Sequence, residues 1–72
     1  MSKRNYIPIA VGDLIIDSAN EVFYVLKIKK ENPDNQLWIY LKNGQHDYKF
    51  LMYEIRNSIR EKYWKLQKYD EH

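Results

Sequence analysis

Cysteine is absent from the 72 residues, which removes disulfides, thiolate nucleophiles and Cys-based zinc sites together. The fold has to be held by packing alone, in keeping with a reducing cytosol. Glycine and proline number two each, so no glycine-rich loop is available to cradle a phosphate. Histidine is equally scarce: His46 and His72 have no metal-ligand spacing. No run of about 18 apolar residues exists for a membrane span, and Met1–Asn5 lacks the apolar core of a signal peptide, so the expected location is the cytoplasm. Charge of one sign is lacking too, with 12 basic residues against 10 acidic ones and a net charge of +2. Phosphate binding, if any, would therefore be local. The length suits one domain, and a chain this short buries only about 60% of the surface its unfolded form exposes, which leaves no room for a deep active-site cleft.

What the chain has in surplus is aromatic side chains: seven Tyr, two Trp and two Phe. That is more than so small a core can hide, and Tyr and Trp at a surface favour contact with partners. A bias toward Lys, Asn, Ile and Tyr, all with AT-rich codons, points toward a low-GC bacterium or one of its phages.

The stretch from Val22 to Phe50 organises the rest. Asn43-Gly44 lies between two strand-like runs and is a strong hairpin signal, because both residues tolerate the positive φ of a type I′ turn. A turn on those two residues pairs Lys42 with Gln45, Leu41 with His46, Ile39 with Tyr48 and Leu37 with Phe50. Tyr40 then meets Asp47, and Trp38 meets Lys49, on the other face. Before the hairpin, Ile7–Ile16 is a candidate first strand, interrupted at Gly12-Asp13 by an expected bulge or bend. Asp17-Ser18-Ala19-Asn20 supplies turn chemistry, and Glu21–Lys30 forms a second strand in which Val22, Tyr24, Leu26 and Ile28 alternate with Phe23, Val25, Lys27 and Lys29. Glu31–Asn35, with Pro33, is a polar turn. Matching apolar faces pairs Ile28 with Leu37, Leu26 with Ile39 and Tyr24 with Leu41. The opposite face then collects Phe23, Val25, Lys27, Trp38, Tyr40, Lys42, Asp47 and Lys49.

From Met52 the period becomes helical. Met52, Ile55, Ile59, Tyr63 and Leu66 fall in one stripe, predicting a helix over residues 52–68 that packs on the sheet. Ser58-Ile59-Arg60-Glu61 also reads as a capping box, which would start a helix at Ser58 and leave Leu51–Asn57 as a strand or turn; the continuity of the stripe favours the longer helix. The expected fold class is thus α+β: a small antiparallel β-meander with strands over residues 7–16, 21–30, 36–42 and 45–51, SH3-like or partly open, carrying a C-terminal amphipathic helix.

Val11-Gly12-Asp13-Leu14-Ile15, the long strand that follows, the Asn43-Gly44 hairpin and the Phe50–Ile55 segment together resemble the SH3-like small barrels, including KOW and Tudor-type domains. The likeness runs over roughly residues 9–55. It implies binding, since such domains hold RNA, DNA, ribosomal or polymerase components, or peptides. The chain departs from that pattern by ending in a long helix rather than a short fifth strand, so closure of a barrel does not follow.

Catalysis is not expected. His46 and Asp47 are adjacent on a strand and point to opposite faces, so they do not form a base and its orienter. Ser2, Ser18 and Ser58 have turn or cap explanations. Two surfaces are candidates for partners. On the sheet, Trp38 and Tyr40 stand beside Lys27, Lys42 and Lys49, a mixture of rings and ammonium groups suited to single-stranded nucleic acid or to a protein hot spot. The competing structural reading covers Phe23, Val25, Trp38 and Tyr40 with the helix and makes them core. On the helix, Tyr53, Asn57, Arg60, Trp64 and Lys68 follow at steps of three and four, off the core stripe, making Trp64 an exposed anchor beside Arg60. The leading expectation is a non-enzymatic module that binds a protein, such as an accessory or inhibitory protein of a phage or mobile element. The alternative is a DNA- or RNA-binding module on the same sheet face. A homodimer is compatible with either, and no cofactor, metal or membrane is implied.

Overall fold

The computed structural model describes residues 8–32 and 34–68. Met1–Ile7, Pro33 and the stretch 69–72 with His72 lie outside the described residues, and with them the expected start of the first strand. Five strands and one helix follow in order: β1 (Leu14–Ile16), β2 (Val22–Glu31), β3 (Gln36–Asn43), β4 (His46–Leu51), α1 (Met52–Arg60) and β5 (Lys65–Gln67). They form one antiparallel sheet with the spatial order β4-β3-β2-β1-β5. β4 and β5 are its two edges, and among the described residues they do not pair, so the sheet is open.

The turns follow from local chemistry. At Ala10–Asp13 the chain makes a tight turn closed by the Asp13 N–H donating to the Ala10 carbonyl at 3.1 Å, with Gly12 at φ 97° in the third position, where a type II turn needs a positive φ. The first strand is accordingly confined to three residues. Between β1 and β2, Asp17 Oδ1 accepts from the backbone N–H of Ala19 at 2.8 Å and of Glu21 at 2.9 Å, while Asn20 adopts φ 66°. An Asx turn of this kind is what the Asp-Ser-Ala-Asn run supplies.

At the central hairpin the loop is Gly44-Gln45 rather than Asn43-Gly44, because Asn43 pairs with His46. Gly44 has φ 62° and Gln45 is not among the residues of positive φ, the pattern of a type II′ turn with glycine first. Each expected β3–β4 pair therefore slides by two: Leu41 meets Tyr48, Ile39 meets Phe50 and Tyr40 meets Lys49. A slip of two leaves every side chain on its expected face, since the strand period is two.

β2 behaves differently. Val25 pairs with Leu41, but Lys27 pairs with Tyr40, so Leu26 is an extra residue in a β-bulge. The bulge reverses the parity of the strand. Before it, Phe23 and Val25 face the core at 8% and 2% exposure; after it, Ile28 does, opposite Ile39. The expected placing of Phe23 and Val25 on the outer face is corrected, as is that of Tyr24 and Leu26 on the inner face; both are exposed.

The helix is shorter than its apolar stripe predicts. It begins at Met52, directly from β4, and ends at Arg60 instead of Lys68. Lys62 N–H donates to the Ile59 carbonyl at 3.0 Å and Tyr63 N–H to the Ser58 carbonyl at 2.9 Å, with Lys62 at φ 69°. This is a Schellman closure with lysine where glycine is usual. The chain then reverses, leaving Tyr63 66% exposed, and residues 65–67 pair with β1, Leu66 opposite Ile15. Leu66 packs against the core as expected, but from a strand.

The core lies between the sheet and α1. Ile15, Ile39 and Leu41 from the strands are sealed together with Met52 and Ile55 of the helix, Ile59 packing at the margin. Each such full burial contributes roughly 1.5–3 kcal/mol. A strand alternates its side chains, so helix and core occupy the face of Ile39 and Leu41 and leave that of Trp38 and Tyr40 uncovered.

Candidate functional site

The uncovered face is built by three neighbouring strands. β3 contributes Trp38, Tyr40 and Lys42; β4 contributes Asp47 and Lys49; and beyond its bulge β2 contributes Lys27, Lys29 and Glu31. The register sets Lys27 and Lys49 on either side of Tyr40, and Lys29 beside Trp38. The Lys49 ammonium lies 4.5 Å from the centre of the Trp38 ring and 5.5 Å from that of Tyr40, and the Lys27 ammonium lies 4.7 Å from the Tyr40 ring. Cation–π contacts of this kind hold each cation against ring electrons at an exposed site.

Glu31 closes the cluster. Its Oε1 meets Lys49 Nζ at 2.8 Å, and its Oε2 accepts a hydrogen bond from the Tyr40 hydroxyl. The hydrogen bond from Lys49, followed by that from Tyr40, holds the Glu31 carboxyl below the usual carboxylate range. The bond to Glu31 raises the Tyr40 phenol above its ordinary value, with desolvation adding to it, and raises the Lys49 ammonium as well. Glu31, Tyr40 and Lys49 thus lock one another in a single protonation state around neutral pH. By contrast, Lys42 and Asp47 stand 4.0 Å apart with 47% and 73% of their side chains exposed, a pair that adds little.

Sequence reasoning did not find Glu31. Its signal was the period-two run Lys27, Lys29, Glu31, which shares a face once the second strand is carried one residue past Lys30. Lys29 falls on the face of Lys27 in the sequence alternation as well, and the register sets it beside Trp38.

The second expected surface dissolves with the shorter helix. Tyr53 is exposed on α1, and Arg60, also exposed, donates to Asn57 Oδ1. Trp64 and Lys68 are not on the helix at all. Trp64 is half-buried, stacked on Phe23 at 6.0 Å and 5° between planes and edge-on to Phe50 at 5.9 Å and 85°. Tyr48 extends this group with an edge contact to Phe23 at 5.5 Å and a stacked one to Phe50 at 6.3 Å. Trp64 is therefore a wall of the core, and its reading as an exposed anchor is corrected. Lys68 reaches inward, donating to Asp13 Oδ2 at 2.7 Å and to the Pro8 carbonyl at 2.8 Å. Asp13 is 2% exposed and also accepts from the Ala10 N–H at 2.9 Å. The half-buried pair ties the turn before β1 to the residue after β5, so Lys68 has a structural task.

Of the nine residues expected to contact a partner, the fold brings together Trp38, Tyr40, Lys27, Lys42 and Lys49, and separates Tyr53 and Arg60 on the helix from Trp64 and Lys68, which flank β5. Among the described residues, no group of three or more His, Cys, Asp or Glu is placed to hold a metal, and no helix is long and apolar enough to cross a membrane. Compared with known proteins, the chain matches no family model, no curated protein and no solved structure.

Proposed function

We propose that this chain is a non-enzymatic module that binds a protein partner through the outer face of its sheet, with Trp38 and Tyr40 as anchors and Lys27, Lys42 and Lys49 around them. The observation that carries this reading is the state of the two rings. A base stacks on an open ring face, whereas the Tyr40 and Trp38 faces are held by the ammonium groups of Lys27 and Lys49, and the Tyr40 hydroxyl by Glu31. Rigid rings pre-set by neighbours suit a protein hot spot, because little side-chain freedom is left to lose on docking.

The scaffold we propose is an SH3-like small barrel that stays partly open. Supporting this is β5, a short strand paired with β1 after the helix, which supplies the fifth strand that the expected long helix had replaced.

The test is capture from nuclease-treated lysate by the wild-type chain and by a Trp38→Ala/Tyr40→Ala double variant, alongside a salt titration of binding to single-stranded DNA and RNA. A protein retained after nuclease treatment and lost with the double variant is the expected result. Micromolar or tighter affinity for single strands, falling steeply between low and moderate salt, would replace this reading with the nucleic-acid one.

A further inference from the structure

The two edges of the sheet are protected unequally. β5 is three residues long, and the chain leaves it into the half-buried Lys68–Asp13 pair. β4 is six residues long, with no proline, glycine or bulge among them. Because Asn43 and His46 flank a two-residue turn, their backbone groups face each other. His46, Tyr48 and Phe50 therefore direct their N–H and C=O at β3, while those of Asp47, Lys49 and Leu51 point away from the sheet. The Leu51 C=O caps α1, whereas among the described residues the outward groups of Asp47 and Lys49 have no strand partner, and such positions are a template for another strand.

Charges on an edge normally repel a newcomer, but these two are arranged to suit one particular newcomer. Asp47 and Lys49 lie on the same face, two residues apart, with Tyr48 between them on the other. An identical strand laid antiparallel with Tyr48 opposite Tyr48 puts each Asp47 across from the Lys49 of the second copy. Moving the axis to Asp47 sets two carboxylates against each other, and moving it to Lys49 sets two ammonium groups together; both are unfavourable. Odd registers oppose an outward backbone group to one already directed at β3. One register alone satisfies both the hydrogen bonds and the charges, and it is a two-fold, self-complementary one.

We propose that β4 is a self-pairing edge, through which two copies of this chain join in an antiparallel strand pair centred on Tyr48, with Asp47 of each opposite Lys49 of the other. The sheet then continues through both copies, and two Trp38/Tyr40 faces lie side by side. The pairing shares Lys49, whose ammonium also meets Glu31, with the outer face, but its strand hydrogen bonds are made by backbone and do not require that face to bind anything. Pairing along one edge covers less surface than a standard interface, so the dimer is micromolar rather than nanomolar.

Sedimentation of the purified chain from low micromolar to millimolar concentration tests it, with amide exchange as the local readout. The expected result is a reversible monomer–dimer equilibrium in which the Asp47 and Lys49 amides gain protection as concentration rises. Asp47→Lys, which makes both cross-strand pairs repulsive at a side chain that is 73% exposed, is expected to weaken the dimer about 30-fold while the monomer stays folded. Asp47→Pro removes an outward N–H while sparing the β3 ladder and is expected to abolish the dimer. A chain that remains monomeric at millimolar concentration overturns the proposal, as does a dimer whose affinity is unchanged by Asp47→Lys.

Discussion

The two faces of the sheet each carry a tryptophan, and the two residues live under opposite rules. Trp64 sits on the core side, stacked on Phe23 and edge-on to Phe50, where its neighbours are apolar and its contribution is packing. Trp38 sits on the outer side against the Lys49 ammonium, next to Tyr40 and Glu31, where its neighbours are charged and its geometry is set by ion and ring contacts. Both are half-buried, so exposure alone does not distinguish them. What distinguishes them is whether the surrounding groups need the ring in order to stay dry.

The sharpest way to break this comparison is to truncate both rings. Trp64→Ala is expected to cost about 3 kcal/mol, the lower part of the range for a buried aromatic, because the ring is partly open to water. Trp38→Ala is expected to cost under about 1 kcal/mol while abolishing partner capture. Urea unfolding of the two variants decides it: similar losses would mean that the faces are not functionally different.

A smaller effect is expected at the fastening of β5, which holds Leu66 over the core. Asp13→Ala leaves the Ala10 N–H without its acceptor and takes the carboxylate from the Lys68 ammonium, which keeps the Pro8 carbonyl, and about 2 kcal/mol should be lost, less than for a fully buried pair since 35% of the Lys68 side chain is exposed. Amide exchange at residues 65–67 is expected to accelerate more than exchange at β3. Next comes the turn that swings Trp64 back onto the core. Lys62 holds φ 69°, a conformation that suits glycine better, so Lys62→Gly should raise stability by up to about 1 kcal/mol in the same urea assay. Were it to lower stability instead, the turn would owe its shape to contacts of the Lys62 side chain.

The smallest effect, confined to the outer face, is on pH dependence. Glu31 has a folded pKa below its unfolded one, so its contribution is present above the ordinary value of 4.5 and disappears as pH falls through the folded value. Tyr40 and Lys49 have folded values above their ordinary 10.0 and 10.5, so their contributions are present below these and disappear as pH rises. The cluster is thus intact between the two limits. An ultraviolet titration should show a tyrosine ionising above the ordinary 10.0, and Glu31→Gln should return it toward that value while leaving Trp64 fluorescence unaltered.

Much of this architecture was legible from local rules. The hairpin and the faces of β3 and β4 follow from period-two alternation, which survived a two-residue slip because two is the period itself. The Asp17 turn was readable from residue types that act on their own backbone, and the start of α1 at Met52 from the change to a helical apolar period. The face containing Trp38, Tyr40, Lys27, Lys42 and Lys49 was legible for the same reason, although Glu31, which clamps it, lay one residue beyond the expected strand.

Tertiary structure decided the rest, wherever a local preference was balanced or overruled by distant partners. Nothing in Val22–Lys30 marks Leu26 as the bulged residue; the register against β3 does, and it alone turns Phe23 and Val25 inward. The apolar stripe from Met52 to Leu66 is equally good as one helix, but pairing Leu66 with Ile15 and stacking Trp64 on Phe23 requires the chain to reverse at a lysine rather than a glycine. Lys68 and Asp13, 55 residues apart, meet only after that reversal. Sequence by itself determined which side chains alternate and where the backbone turns on its own chemistry; folding in three dimensions decided which rings became core and which stayed outside, because that choice is made by contacts between residues that no local period connects.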